Sequence, residues 1–341
     1  MNQPLPVAAR YCPYSELGDQ PNIIVDGSAQ SATELTLSHW PWSPTAPELL
    51  RDTSTDIVFA YLDSPAQHRN IELVSNSHFD EDGLLSMYAL TDPENALRQR
   101  DLMIGASCVG DFSIYTNPEA AKLAFILGAY ADPEVSPLTT DAFSGSSAQQ
   151  VASLYRQMLA VLPALLTGIP AHEELWRPEL EHLHASEAAI NAGEVVIDEV
   201  PELDLAIVHI PESMPARTVR RYLRNWQRSV HPMAVHNVTQ ASRLIWLKGQ
   251  SLEFQYRYES WVKLASRRPA LRIDLSGLVE KLCNLETAGG EWVFEGVNEV
   301  APRLMINGSC RSSISPDNFI GMLADWLITE PAAWDPYNKP D

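Results

Sequence analysis

Apolar and polar positions alternate differently in the two halves of the chain. In the first half, short apolar runs are followed by stretches with a 3.6-residue period. Asn22-Ile23-Ile24-Val25-Asp26-Gly27 predicts a strand that ends at a glycine turn, and Ile71-Glu72-Leu73-Val74-Ser75 predicts another. Between them, residues 53–62 predict a helix with Ile57, Ala60 and Tyr61 inward. Residues 84–90 predict a helix after the second strand. Two more open at Asp92-Pro93-Glu94 and Asn117-Pro118-Glu119, each with proline in its first turn. Ser147-Ala148-Gln149-Gln150 reads as a capping box. Behind it Val151, Leu154, Tyr155, Met158, Leu159 and Leu162 share one helical face. Strands alternating with helices predict an α/β domain with a doubly wound, largely parallel sheet.

The second half reads differently. After a polar helical segment over 172–192, strand-like runs appear at 194–200 and 205–211. Residues 243–247 and 252–258, joined by Lys248-Gly249-Gln250-Ser251, predict a hairpin whose second strand alternates apolar and polar. A helix over 275–285, strands at 292–295 and 303–306, and a last helix from Ser315-Pro316 complete a smaller α+β domain. The expected organisation is a flexible arm over 1–20, an α/β domain over 21–195, an α+β domain over 196–330 and a tail over 331–341.

Composition narrows the classes. The 341 residues carry 44 acidic and 24 basic side chains, a formal net charge of -20. That mean field disfavours duplex nucleic acid and anionic membrane surfaces as partners. The 4 cysteines are scattered without a CxxC pair, so neither a thiolate zinc site nor a disulfide framework is expected. The N-terminal residues lack a basic segment followed by an apolar one, and the longest apolar run, over 158–171, is interrupted by Pro163 and Pro170. These features imply a cytoplasmic protein. A homodimer is compatible with the chain.

The chemistry concentrates between the strand over 71–75 and the helix over 84–90. Ser77-His78-Phe79-Asp80-Glu81-Asp82-Gly83-Leu84-Leu85-Ser86 places a histidine and two aspartates at a strand-to-helix turn, where α/β sheets bind ligands. If the strand continues, the spacing His78-x-Asp80-x-Asp82 projects all three side chains to one side. That donor set suits a divalent metal. Helix capping would account for one of the aspartates, but not for all three residues.

This stretch resembles motif I of the DHH-type phosphoesterases, in the form H-x-D-x-D-G-x-x-S. The whole chain is also similar to a bacterial family with the same His-Phe-Asp-x-Asp-Gly core and no assigned activity. The phosphoesterase resemblance implies Mn²⁺ or Mg²⁺ on His78, Asp80 and Asp82, an isolated aspartate as a further ligand, and a smaller C-terminal domain that meets the substrate. Asp111 and Asp141 are both candidates for that ligand. The chain has no adjacent histidine pair to supply the name-giving triplet. His182 or His184 would have to stand in for it. Ser86, at the end of the motif, is expected to touch substrate.

A second pattern lies in residues 214–228. Arg217, Arg220, Arg221, Arg224 and Arg228 recur at helical spacing and predict a basic helix face. Arginine forks suit phosphate and carboxylate, so these side chains are candidates for substrate binding. The sequence thus points to a metal-dependent hydrolase of a phosphorylated or anionic small substrate. The competing reading is a non-catalytic anion- or partner-binding protein with a degenerate metal site.

Overall fold

The computed structural model describes residues 5–220, 225–307 and 311–339. The chain forms two compact units. The first comprises Met1–Glu181, Thr218–Gln227 and Leu264–Ser266; the second comprises His182–Arg217, Arg228–Lys263 and Arg267–Asp341. The division therefore falls earlier than the boundary expected near residue 195, and two later segments return to the first unit.

The first unit is built on four parallel strands: β1 (Arg10–Tyr11), β2 (Asn22–Val25), β3 (Thr33–Leu37) and β4 (Leu73–Ser75). Their order is β1-β4-β2-β3, which leaves β2 and β4 in the centre. Both are buried along their whole length, in keeping with their apolar runs. The arm expected over 1–20 is a correction. Residues 10–11 pair with Leu73 and Val74, and Leu17 is fully buried.

Six helices follow in this unit: α1 (Ser54–Leu62), α2 (Glu81–Thr91), α3 (Pro93–Arg98), α4 (Arg100–Phe112), α5 (Pro118–Tyr130) and α6 (Ser147–Thr167). Every residue of α2 from Glu81 to Leu90 is buried. A helix apolar on all sides belongs in the middle of a domain, and α2 packs against α1, α4, α5 and α6. The capping box of α6 forms as expected but begins one residue earlier, at Ser146 with Gln149. Helix α7 (Glu173–Asn191) crosses from the first unit into the second.

The second unit holds β5 (Val196–Val200), β6 (Leu205–His209), α8 (Pro232–His236), β9 (Arg243–Lys248), β10 (Ser251–Tyr256), β11 (Arg272–Ile273), α9 (Ser276–Leu285), β12 (Glu291–Phe294), β13 (Arg303–Asn307), α10 (Pro316–Thr329) and β14 (Ala332–Trp334); β7 (Arg217–Val219) and β8 (Trp226–Arg228) lie in the first unit except for Arg217 and Arg228. The main sheet of the second unit has the order β12-β13-β10-β9-β6-β5 and is mixed, with β6 and β9 parallel. Leu205, Ile207, Ile245 and Leu247 face a core shared with α9 and α10. Ala206, Val208, Leu244 and Trp246 face a second core. Two buried faces explain why β6 and β9 read as unbroken apolar runs. The expected hairpin is β9–β10. The expected tail contains β14, which pairs with β11.

The basic helix predicted over 214–228 does not form. Arg217 opens β7 and Arg228 closes β8, two strands that pair with each other. Thr218, Val219 and Trp226 are strand-forming residues, and Gln227 Nε2 donates to Thr218 Oγ1 at 2.9 Å. Arg221 and Arg224 lie outside the described residues. Among those described, no single helix is long and apolar enough to cross a membrane.

Candidate metal centre

The site lies at the carboxyl ends of the parallel strands, in the first unit. Asp26 follows β2, His39 follows β3, and residues 76–80 join β4 to α2. Strand β4 stops at Ser75, so His78, Asp80 and Asp82 do not share one face of an extended strand as the spacing suggested. Asp80 has extended backbone and caps α2, its Oδ1 accepting from Gly83 N at 2.8 Å. Capping leaves its other oxygen available, and Oδ2 lies 2.9 Å from His78 Nε2. Asp82 is the second residue of α2 and is fully buried.

Two donor sets result, and Asp26 belongs to both. The deep set is Asp26, His39 and Asp82; the outer set is Asp26, His78 and Asp80. Within each, one ligand atom per residue lies within 4.8 Å of the others. Ligands about 2.1 Å from a shared ion stand roughly 3–4 Å apart, so both sets have the span a divalent cation needs. His39 Nε2 is 3.4 Å from Asp26 Oδ1 and 3.9 Å from Asp82 Oδ2. His78 Nε2 is 3.2 Å from Asp26 Oδ2. Asp111, on the last turn of α4, brings Oδ2 to 3.6 Å from His39 Nε2. The deep residues are 0–1% exposed, whereas His78 and Asp80 are 29% and 28% exposed. The outer set therefore forms the entrance.

Local structure explains why the deep residues stay in place. Asp82 takes both N-terminal amides of α1, Ser54 N on Oδ2 and Thr55 N on Oδ1, each at 2.7 Å. A helix N-terminus favours a carboxylate there. Ser54 Oγ donates to Asp26 Oδ1 at 2.9 Å, and His39 Nδ1 meets the Asp52 carbonyl at 2.5 Å. Asp26 itself has φ 44°, the left-handed region that aspartate tolerates better than most residues. Such backbone at a strand end in a cluster of charges is a mark of a functional constraint.

Carboxylates dominate the electrostatics of the cluster. Four carboxylates (Asp26, Asp80, Asp82, Asp111) surround two imidazoles. Burial would raise the Asp26 carboxyl, but hydrogen bonding and charge from His39 and His78 hold it below the usual carboxylate range. Burial, then the Asp26 charge, push Asp82 up to about 6. Asp111 is pushed well above the usual range by burial and by Asp82 and Asp26. Burial opposes the charged form of both imidazoles, yet both are raised, His39 through Asp26 and His78 through Asp80 and Asp26. Among the described residues, Asp26 Oδ2, Asp111 Oδ2 and His78 Nδ1 have no well-directed hydrogen bond. Buried carboxylates in excess suit a cation. The buried Asp–His–Asp group can hold a metal ion.

The sequence-predicted residues fare unequally. His78, Asp80, Asp82 and Asp111 converge. Asp141 is exposed on a short 3₁₀ turn. His182 is buried in the second unit with its ring 5.4 Å from that of His231. His184 is exposed on α7. Ser86 is fully buried beside Thr55, their hydroxyls 3.3 Å apart, within the α1–α2 packing. Arg220 is held by Asp132 at 3.4 Å and Glu179 at 4.0 Å, and Arg217 is exposed. The residues missed were Asp26 and His39. Asp26 directly follows the apolar run of β2, and a polar ligand type there was the available signal; His39 lies two residues past the alternating strand β3 and gave no such signal.

The chain belongs to a family of unknown function, DUF6687, whose model matches residues 7–338. No curated protein and no solved structure matches it.

Proposed function

We propose that the protein is a metal-dependent hydrolase of a phosphorylated or otherwise anionic small substrate, similar in its chemistry to the DHH-type phosphoesterases. The observation that carries this reading is the position of Asp26, common to two donor sets at the carboxyl edge of a parallel sheet. His39, Asp82 and Asp111 would complete the deep cation site, and His78 and Asp80 the outer one. Mostly oxygen donors with one imidazole per site favour Mn²⁺ or Mg²⁺. Divalent cations in these sites would polarise a phosphoryl oxygen and make a water acidic enough to attack near neutral pH.

The chain's own residues would then divide the work. Asp26 spans the two sets. His39 and Asp82 sit in a dry interior that keeps charge interactions strong. His78 and Asp80 stand where substrate and water can reach them. No described arginine of the expected stripe supports an orienting role, so the substrate reading rests on the metal site.

The test is hydrolysis of p-nitrophenyl phosphate and bis(p-nitrophenyl) phosphate by protein stripped with chelator, then given Mn²⁺ or Mg²⁺. Metal-dependent turnover that disappears in Asp26→Asn is the expected result. Metal binding without turnover would favour the non-catalytic alternative. Turnover that survives exhaustive chelation would point to metal-free acid–base chemistry.

A further inference from the structure

Residues 52–55 touch every member of the deep set. The Asp52 carbonyl meets His39 Nδ1, Ser54 Oγ donates to Asp26, and the amides of Ser54 and Thr55 hold Asp82. Ser54 Oγ also accepts from His39 N at 3.3 Å. Thr53 caps α1 through Asp56 N and accepts from Ser107 Oγ at 3.2 Å. This turn is itself anchored at one further point. The Asp52 side chain is only partly buried and belongs to neither donor set. Its Oδ1 accepts from Ala265 N at 2.8 Å and from Ser266 N at 2.9 Å. Residues 264–266 belong to the first unit, although the chain on either side of them belongs to the second.

We propose that Asp52 is a positioning residue for His39 and that residues 265–266 are the latch that holds it. The main-chain carbonyl of Asp52 selects Nδ1 as the nitrogen that carries a proton, which leaves Nε2 facing Asp26, Asp82 and Asp111. A histidine ligand needs this orientation, and the group that bonds its second nitrogen sets it. The carboxylate of the same residue, gripping two successive amides, fixes where that carbonyl stands. The competence of the deep site therefore depends on a segment more than two hundred residues further along the chain. As a consequence, whatever displaces residues 264–266 loosens His39 without touching a ligand of the site. The role for a cation rests on the metal reading above; the orientation of His39 does not.

Two measurements on the full chain separate these. In protein with ¹⁵N-labelled histidine, the Nδ1–H proton of His39, assigned by its absence in His39→Gln, should be protected from exchange with solvent. It should be lost or exchange fast in Asp52→Ala and be kept in Asp52→Asn, whose amide oxygen still accepts two N–H groups. Ser266→Pro, which removes one donor from the other side, should act in the same direction as Asp52→Ala. By calorimetry with Mn²⁺, Asp52→Ala should weaken one binding event by about 10–100-fold, the scale for groups that orient a ligand. The other event should stay within about threefold, and Asp52→Asn should restore the first. An unchanged His39 resonance and unchanged Mn²⁺ binding in folded Asp52→Ala and Ser266→Pro would overturn the proposal and leave the metal reading intact. Absence of Mn²⁺ binding in the wild type, with the resonance still latch-dependent, would overturn the metal reading and support the orientation of His39.

Discussion

Both units bury charge, but they use it in opposite ways. In the second unit, Arg257 is 1% exposed and gives Nη1 to the carbonyls of Thr239 and Ala241 while pairing with Glu259. Arg272, fully buried, donates to the carbonyls of Val297, Glu299 and Val300. Opposite charges pair, and the arginines secure irregular connections whose carbonyls would otherwise be unsatisfied. In the first unit, like charges converge. Asp26, Asp82 and Asp111 crowd His39. Buried charge alone is therefore not a sign of function. Buried like charge is such a sign, because folding alone gives no reason to gather it.

The comparison can be broken most severely at Asp26. Asp26→Asn removes the residue common to both donor sets. It should lower metal-dependent hydrolysis by at least about 10³-fold, the scale for losing a central charge-stabilising group, measured as kcat/KM with saturating Mn²⁺. In the second unit, Arg257→Met should do the reverse. It should cost up to about 3–5 kcal/mol of stability by leaving the buried Glu259 with only Arg267, 3.5 Å away, as a partner, read by denaturant unfolding, with metal affinity unchanged.

Next comes pH. Asp82 is raised to about 6 in the fold, above its ordinary value near 4. Its contribution to the metal-free fold is thus complete below about pH 4 and lost as pH rises through about 6, on the order of 3 kcal/mol. A cation reverses that preference, because it requires the carboxylate. The rise in Tm on adding Mn²⁺ should be larger at about pH 7.5 than at about pH 5. An equal rise at both would remove Asp82 from the ligand set.

Smaller effects sharpen the same contrast. A Cβ at Gly83 would stand 2.5 Å from Asn76 Nδ2 and 2.6 Å from Tyr155 Oη. Gly83→Ala should destabilise by about 1–3 kcal/mol through overpacking, and should weaken the outer cation site, since Gly83 N holds Asp80. Asp111→Asn removes repulsion with Asp82 and Asp26. It should raise the Tm of metal-free protein by roughly 2–4 °C, about 1 kcal/mol, and lower that of the metal-loaded protein.

How much of this the sequence disclosed depends on how local each signal is. Strand β2 and helices α2 and α6 follow from apolar period and caps within a dozen residues, and the β9–β10 hairpin follows from its turn. His78, Asp80 and Asp82 were visible because one short segment carries all three. Asp26 and His39 were not identified as ligands, because their meeting is made by sheet order. Strands β4 and β2 are neighbours although β3 and α1 lie between them in sequence. The arginine spacing misled because a helical period in charged residues alone does not make a helix; the β-branched and aromatic residues between them formed strands. Strand β1 was missed because two residues are too few to show a period.

The central claim is that Asp26 joins two cation sites. Calorimetric titration of chelator-stripped protein with Mn²⁺ measures it most directly, comparing wild type with Asp26→Asn. The account predicts two bound ions in the wild type and the loss or severe weakening of both in the variant. No binding at millimolar Mn²⁺, or two ions still held by Asp26→Asn, would contradict it.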